Sequence, residues 1–360
     1  MVEIYHEDQV SLDVLKDKTI GIIGYGNQGR AQALNLRDSG LKVIIGNIED
    51  KYKAMARNDG FEVYSIEIAV SKSDILFILV PDEIMKNLLE KEIIPHLKPS
   101  STLNFASGYN VGFKLLTLPS NVDIIMIAPR MIGVGVRETY LNGKGFFSFI
   151  SVEQDVSGNA RDTLLGLAKA LGALKKGAIM LSMKDEAVLD LFNEQAFGPA
   201  FGRVLLTSIK VLLDAGYPAE AVLVEMYMSG EMSYTYKKMA EIGLVKQTDF
   251  HSHTSQYGAM SRGIRYLNLP IKPIMEKILK DIQTGVFTKE WEKKITKLKF
   301  KFIKFFATHQ KINEIEKQVR KRLKMKLFDI YTEEPPTAED IKESAVIADE
   351  LKPFEEYYES

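Results

Sequence analysis

Two groups of residues in this 360-residue chain have types and spacings suited to chemistry. The first is Gly24-Tyr25-Gly26-Asn27-Gln28-Gly29, a G-x-G-x-x-G pattern that follows an apolar run and opens a helical one. Its first glycine allows a tight turn and its second lets backbone approach a pyrophosphate. Its third lets helix pack on strand, and the helix N-terminus faces the anion. In a strand–turn–helix setting this pattern means dinucleotide binding. The second group is Asp190-Leu191-Phe192-Asn193-Glu194-Gln195, with two carboxylates at i and i+4 on one helical face. Buried together, they suit a hard divalent cation such as Mg2+; on an open surface the same spacing is ordinary. Glu225 and Glu231 follow in a helical stretch. Six residues set them about 120° apart on an ideal helix, so both reach one ion only if the helix breaks, and Ser229-Gly230 offers the break. In His251-Ser252-His253, two histidines without a third ligand read as polar surface or substrate contact rather than zinc ligands.

Cofactor choice should be set just past the second strand, at Gly46-Asn47-Ile48-Glu49-Asp50-Lys51-Tyr52-Lys53. An acid there hydrogen-bonds the ribose 2'-hydroxyl of NAD, and a base pairs with the 2'-phosphate of NADP. Glu49 and Asp50 stand beside Lys51 and Lys53, so the loop leaves both cofactors open.

These groups need elements to position them. Apolar runs at 19–24, 42–46, 74–80, 101–105 and 123–128 alternate with helix-like segments such as 28–39 and 84–91. That alternation predicts a βαβ series with a parallel sheet, and continuous apolar runs fit strands covered on both faces. Further strands are expected at 146–152 and 178–182, around a helix at about 160–171. From 184 to 326 the pattern is helical, broken near Gly216-Tyr217-Pro218 and Asn268-Leu269-Pro270. We therefore expect a Rossmann dinucleotide-binding domain over 1–182, an all-helical domain over 183–328 and an acidic tail over 329–360.

Composition narrows the function classes. The chain is 46% hydrophobic and 26% charged with a net charge of -1, which gives no electrostatic case for nucleic acid or anionic membrane. Without cysteine it has no disulfide, thiolate metal site or cysteine nucleophile, which fits a cytoplasmic protein. The first residues carry acids instead of an apolar core, so no signal peptide is expected, and no run of eighteen apolar residues predicts a membrane span. Residues 291–326 carry thirteen Lys/Arg against three Glu, and 329–360 carry eleven Asp/Glu against two Lys. We read the basic segment as the solvated face of a packed helix, onto which the acidic tail could fold.

From about residue 10 to 326 the sequence resembles the ketol-acid reductoisomerases. The matching stretches are the glycine motif with Ala33-Leu34-Asn35-Leu36-Arg37-Asp38-Ser39-Gly40, Val152-Glu153-Gln154-Asp155-Val156-Ser157-Gly158, Asp190-Leu191-Phe192 with Glu194-Gln195, and Gly285-Val286-Phe287 with Glu290-Trp291. The resemblance implies a knotted helical domain and homodimers whose helical domains interlock and share each active site. It implies Mg2+-dependent alkyl migration in 2-acetolactate-type 2-hydroxy-keto acids, then reduction by NADPH, with NADH the alternative, in branched-chain amino-acid synthesis. By position, Asp190 and Glu194 match metal ligands, Glu186 a nearby acid and Ser252 a substrate-contacting serine. The second metal pair is displaced: counting from either side matches Glu225 or Glu231, and one count puts its first member on Tyr227. The family's histidine before Gly-Phe-Asn is Ser107 here, and its lysine after Ala-Pro is Arg130. These departures keep two alternatives open: a non-catalytic dinucleotide-binding paralogue, and a reductase of another 2-keto acid without isomerase activity.

Overall fold

The computed structural model describes residues 2–325 and 351–353. The chain divides into two compact units, Met1–Leu191 and Phe192–Ser360.

The strands of the first unit are β1 (Ile4–Tyr5), β2 (Thr19–Ile23), β3 (Lys42–Gly46), β4 (Glu62–Tyr64), β5 (Ile75–Ile78), β6 (Thr102–Phe105), β7 (Asp123–Pro129), β8 (Ser148–Gln154) and β9 (Ala178–Met180). They form one sheet in the order β1-β9-β8-β7-β6-β5-β2-β3-β4. Its helices are α1 (Asn27–Asp38), α2 (Lys51–Asn58), α3 (Ile66–Lys72), α4 (Asp82–Leu88), α5 (Tyr109–Gly112), α6 (Gly133–Leu141), α7 (Ala160–Leu171) and α8 (Met183–Phe192). From β4 to β7 in space the strands are parallel, and β2 pairs with β3 on one side and β5 on the other. Chain order reverses at that β2–β5 crevice, where open α/β sheets bind ligands beyond the carboxyl ends of their strands.

Successive side chains of a strand point to opposite faces, and both faces here are apolar. Ile20, Ile22, Phe77 and Ile125 pack on one side with Leu36 of α1 and Leu164 of α7. Ile23, Leu76, Ile78 and Met126 pack on the other with Val70 of α3 and Met183 of α8. This is a Rossmann-like domain, but its sheet is only mostly parallel. β8 runs antiparallel to β7, and β1 runs antiparallel to β9. β4 was not expected from the sequence: it is three residues long and not fully buried, too short to give an apolar run.

The second unit is helical, with α9 (Gly198–Asp214), α10 (Ala219–Leu223), α11 (Glu231–Ile242), α12 (His253–Gly263), α13 (Ile271–Gln283), α14 (Val286–Trp291), α15 (Lys294–Thr308) and α16 (Lys311–Arg322). The chain leaves α9 through Gly216, whose φ of +88° suits a residue without Cβ. Two π turns, Asn193–Phe197 and Val224–Met228, interrupt the α-helical winding. One core cluster joins Ile209, Val222, Leu223 and Val319, and another joins Leu298 and Phe302 of the basic helix α15 with Leu351. The expected fold-back of the acidic tail otherwise lies outside the described residues. The helical stretch Met183–Asp214 is long and apolar enough to cross a membrane by length and composition, with 11% of its most apolar window buried.

Candidate active site

The glycine motif fills the turn between β2 and α1. Gly24 has a φ of +92°, and a Cβ there would lie 2.5 Å from the Leu79 carbonyl oxygen. At Gly29 a Cβ would come within 2.1 Å of the Gly24 carbonyl oxygen, so only glycine lets α1 start this close to the strand. A Cβ on Gly26 would meet no atom within 4 Å, leaving open space beside the turn. Tyr25 is buried; its N–H donates to Asn47 Oδ1 at 3.1 Å and its hydroxyl to Asp59 Oδ2 at 2.9 Å. Arg30 forks onto both oxygens of Asp59, at 2.7 and 3.0 Å. That guanidinium holds the Asp59 carboxyl below the usual carboxylate range, whereas burial and the Asp59 hydrogen bond raise the Tyr25 phenol. A cavity of about 270 Å3 opens beside Tyr25, Asn27 and Arg30, walled by Tyr52, Gly133 and Arg137.

In the β3–α2 loop, Asp50 caps α2. Its Oδ1 accepts from Tyr52 N at 2.9 Å, Lys53 N at 3.0 Å and Asn47 Nδ2 at 2.8 Å. Among the described residues its Oδ2 has no hydrogen-bond partner. Lys53 is buried and pairs with Glu49, whose carboxyl it lowers. Lys51 sets its ammonium 5.1 Å from the Tyr52 ring centroid and stays exposed. Both lysines of the loop thus already have partners.

A second set of groups converges from the carboxyl ends of β6 and β7 and from α8. Ser182 starts α8 reciprocally, its Oγ accepting from Asp185 N at 3.0 Å and donating to Asp185 Oδ2 at 2.6 Å. That start puts Glu186 and Asp190 one turn apart on the same face. Arg130, just past β7, donates from Nη2 to Glu186 Oε1 at 2.6 Å and from Nη1 to Asp190 Oδ1 at 2.8 Å. Glu186 is fully buried, and its Oε2 accepts the Gly108 N–H at 2.6 Å. This approach needs a glycine: a Cβ at Gly108 would lie 1.9 Å from the Met183 carbonyl oxygen. Burial pushes the Glu186 carboxyl up, opposed by the Gly108 N–H and the Arg130 charge. Ser107, half-buried, accepts from Tyr109 N at 3.2 Å. Gln28 Nε2 donates to the Met131 carbonyl at 3.0 Å, so the glycine turn and the loop carrying Arg130 are joined directly.

The remaining predicted residues belong to the second unit. Glu194 is exposed within the π turn Asn193–Phe197, and Glu225 is exposed within the π turn Val224–Met228. Gly230, with φ of +81°, breaks the helix there, and Glu231 opens α11, also exposed. Tyr227 instead donates to Glu316 of α16. Ser252 is the N-cap of α12, accepting from Ser255 N at 3.2 Å, and its own hydroxyl donates to no partner among the described residues. Among the described residues no group of three His, Asp or Glu lies close enough to hold an ion. Within the first unit the structure thus unites Ser107, Arg130, Glu186 and Asp190 at one face. Sequence reasoning gave no role to Gly108, Asn47, Arg30 and Asp59. A glycine directly after the β6 run was the visible signal for Gly108; the others act through partners far away in sequence.

Two family models match the chain. "Acetohydroxy acid isomeroreductase, NADPH-binding domain" covers residues 14–177, and "Ketol-acid reductoisomerase, C-terminal domain" covers 183–325. The chain is 43% identical over 329 residues to "Putative ketol-acid reductoisomerase 3" of Saccharolobus solfataricus, covering 89% of this chain and 98% of that one. It is 38% identical over 299 residues to the "Ketol-acid reductoisomerase (NADP(+))" of Pyrococcus abyssi, covering 82% and 90%. Among solved structures, an NADH-preferring ketol-acid reductoisomerase from an uncultured archaeon superposes with a TM-score of 0.83 at 33% identity, covering 91% of this chain and 100% of that one.

Proposed function

This chain belongs to the ketol-acid reductoisomerase family, and from that premise we propose that it carries out both steps of ketol-acid reductoisomerisation in branched-chain amino-acid synthesis. The observation that carries the reading is the meeting of Arg130, Glu186 and Asp190 at one face, hydrogen-bonded through Met131 to the dinucleotide turn. In the first step, on 2-acetolactate or its homologue, the C2 hydroxyl gives up a proton. The alkyl group moves with its electron pair from C2 to the neighbouring carbonyl carbon, whose oxygen takes up a proton. In the second, hydride and one proton reduce the new C2 ketone.

Carboxylate oxygens are the donors a Mg2+ ion prefers, and Asp190 Oδ2 has no hydrogen-bond partner among the described residues, so the donor chemistry fits. Asp190 and Glu194 would hold the ion, with Glu225 and Glu231 supplied by a second copy. Bound Mg2+ would supply Lewis-acid stabilisation of developing alkoxide charge. Glu186 would keep Arg130 and Gly108 in place, and Ser107 would border the site. Ser252 would donate its free hydroxyl hydrogen to a substrate oxygen. Gly24 to Gly29 would cradle the dinucleotide pyrophosphate. Asp50 supports NADH over NADPH: its carboxylate already occupies the α2 N-terminus, where a 2'-phosphate would meet like charge, and its Oδ2 remains for a ribose hydroxyl. In this reading Lys51 and Lys53 border the cofactor without pairing to a phosphate.

The exposed glutamates fit a site completed across a homodimer with interlocked, knotted helical domains. So does α9, which buries only Ile209 and leaves Val204 and Val211 exposed. The carboxylates of Glu186, Asp190 and Glu194 along Met183–Asp214 argue for protein cover of that stretch rather than lipid, and for a cytoplasmic enzyme. We place the division between the domains near residue 182. Asp190→Asn tests the assignment. It should abolish Mg2+-dependent turnover and leave dinucleotide affinity nearly unchanged; full activity would remove Asp190 from the metal site.

A further inference from the structure

Arg130 is held on every prong. Its backbone N–H donates to the Phe147 carbonyl at 2.8 Å, fixing the residue to the start of β8. Its guanidinium donates to Glu186 and to Asp190 and lies 4.9 Å from the Phe149 ring centroid. The planar fork of a guanidinium spans two acids where an ammonium is a single point. The Arg130 side chain is 23% exposed and that of Asp190 is 40% exposed, so one side of this pair is open to solvent while Glu186 is sealed. The neighbouring charges on α8 are engaged elsewhere: Asp185 with Ser182, and Lys184 over the Phe113 ring at 4.7 Å. Within the first unit the charges paired at Asp190 are those of Arg130 and, through it, Glu186.

We infer that Arg130 is a built-in counter-ion that competes with divalent metal for Asp190 and so sets the metal affinity of the site. The inference rests on the metal-binding reading of Asp190. The guanidinium occupies Oδ1 and repels a dication approaching Oδ2, while its fork holds the Asp190 carboxylate in one position without metal. Two consequences follow: the chain folds and binds dinucleotide in the presence of chelator, and weakening the fork strengthens metal binding.

Mn2+ alone is the probe, with free ion counted by electron paramagnetic resonance on the full-length protein and no turnover involved. Arg130→Met should bind Mn2+ tighter by on the order of tenfold, since a unit charge within a few ångströms of the ion has been removed. Arg130→Lys keeps the charge but loses the fork and should show a smaller gain. Dinucleotide binding by nicotinamide fluorescence verifies that each variant is folded. Unchanged or weaker Mn2+ binding in Arg130→Met with dinucleotide binding intact would overturn the inference. If that variant does not fold, wild-type affinity in Arg130→Lys would overturn it equally. Asp190→Asn separates the two levels: loss of Mn2+ binding keeps the metal reading and leaves the arginine variants to decide, and unchanged binding sinks both.

Discussion

Single residues in the first unit do their work through partners the linear sequence does not reveal. Arg130 stands 56 residues from Glu186 and 60 from Asp190, yet forks onto both. The sequence marked each as a site candidate, but nothing in residue type or spacing tied them together. The same holds for Asp59, whose partners Tyr25 and Arg30 lie 34 and 29 residues away. Asp59 carries a pH signature. Its folded carboxyl lies below its ordinary value of 3.8, first through the Arg30 hydrogen bond. The stabilisation is present above that value and is lost as pH falls through the lower, folded one. Arg30 is half exposed, so the pair is worth about 0.5–1 kcal/mol after solvent screening. Urea unfolding of wild type and Asp59→Asn should differ by that amount near neutral pH and converge as pH drops below about 4. A gap independent of pH would show that the loss comes from packing.

The strands that bear the site were legible as elements because β2, β5, β6 and β7 are buried on both faces and so are written as unbroken apolar runs. Direction and edges were not legible. An antiparallel β8 has the same composition as a parallel one, and the short β4 leaves no run to read. The π turns that carry Glu194 and Glu225 also escaped, since they use the residues of an ordinary helix. Asp190 and Glu194 share one face at i,i+4 only in regular winding, and the π turn beginning at Asn193 departs from it. Between elements, Gly108 sets how closely the β6 loop meets α8. Gly108→Ala would drive a methyl to within 1.9 Å of the Met183 carbonyl oxygen, and no flexible side chain is there to give way. We expect a loss of about 1–3 kcal/mol or more and displacement of Glu186. Thermal unfolding together with turnover checks this; a variant as stable and active as wild type would mean the loop is free to retreat.

At the scale of the whole molecule, the second unit buries few apolar side chains for its number of helices. Phe250, Tyr257, Leu267 and Ile274 are among the large apolar groups it leaves exposed. In the proposed reading a second copy covers such faces and would also bring the exposed Glu225 and Glu231 to a site. Light scattering after size-exclusion chromatography should give at least twice the chain mass; a monomer at micromolar concentration would remove the shared-site reading. The basic helix α15 illustrates how far a charge pattern can be read. Its apolar side packs, through Leu298 and Phe302 with Leu351.

In the proposed function the face formed by Arg130, Glu186 and Asp190 serves both alkyl migration and reduction. The most direct measurement is loss of nicotinamide absorbance with NADH and with NADPH, with and without Mg2+. The substrates are 2-acetolactate and, separately, its rearranged product 3-hydroxy-3-methyl-2-oxobutanoate. Mg2+-dependent turnover of both compounds is expected, with NADH the better donor. Turnover of the rearranged compound alone would leave a reductase without isomerase activity. Turnover of neither, with dinucleotide still bound, would overturn the assignment of both steps and point to a non-catalytic relative.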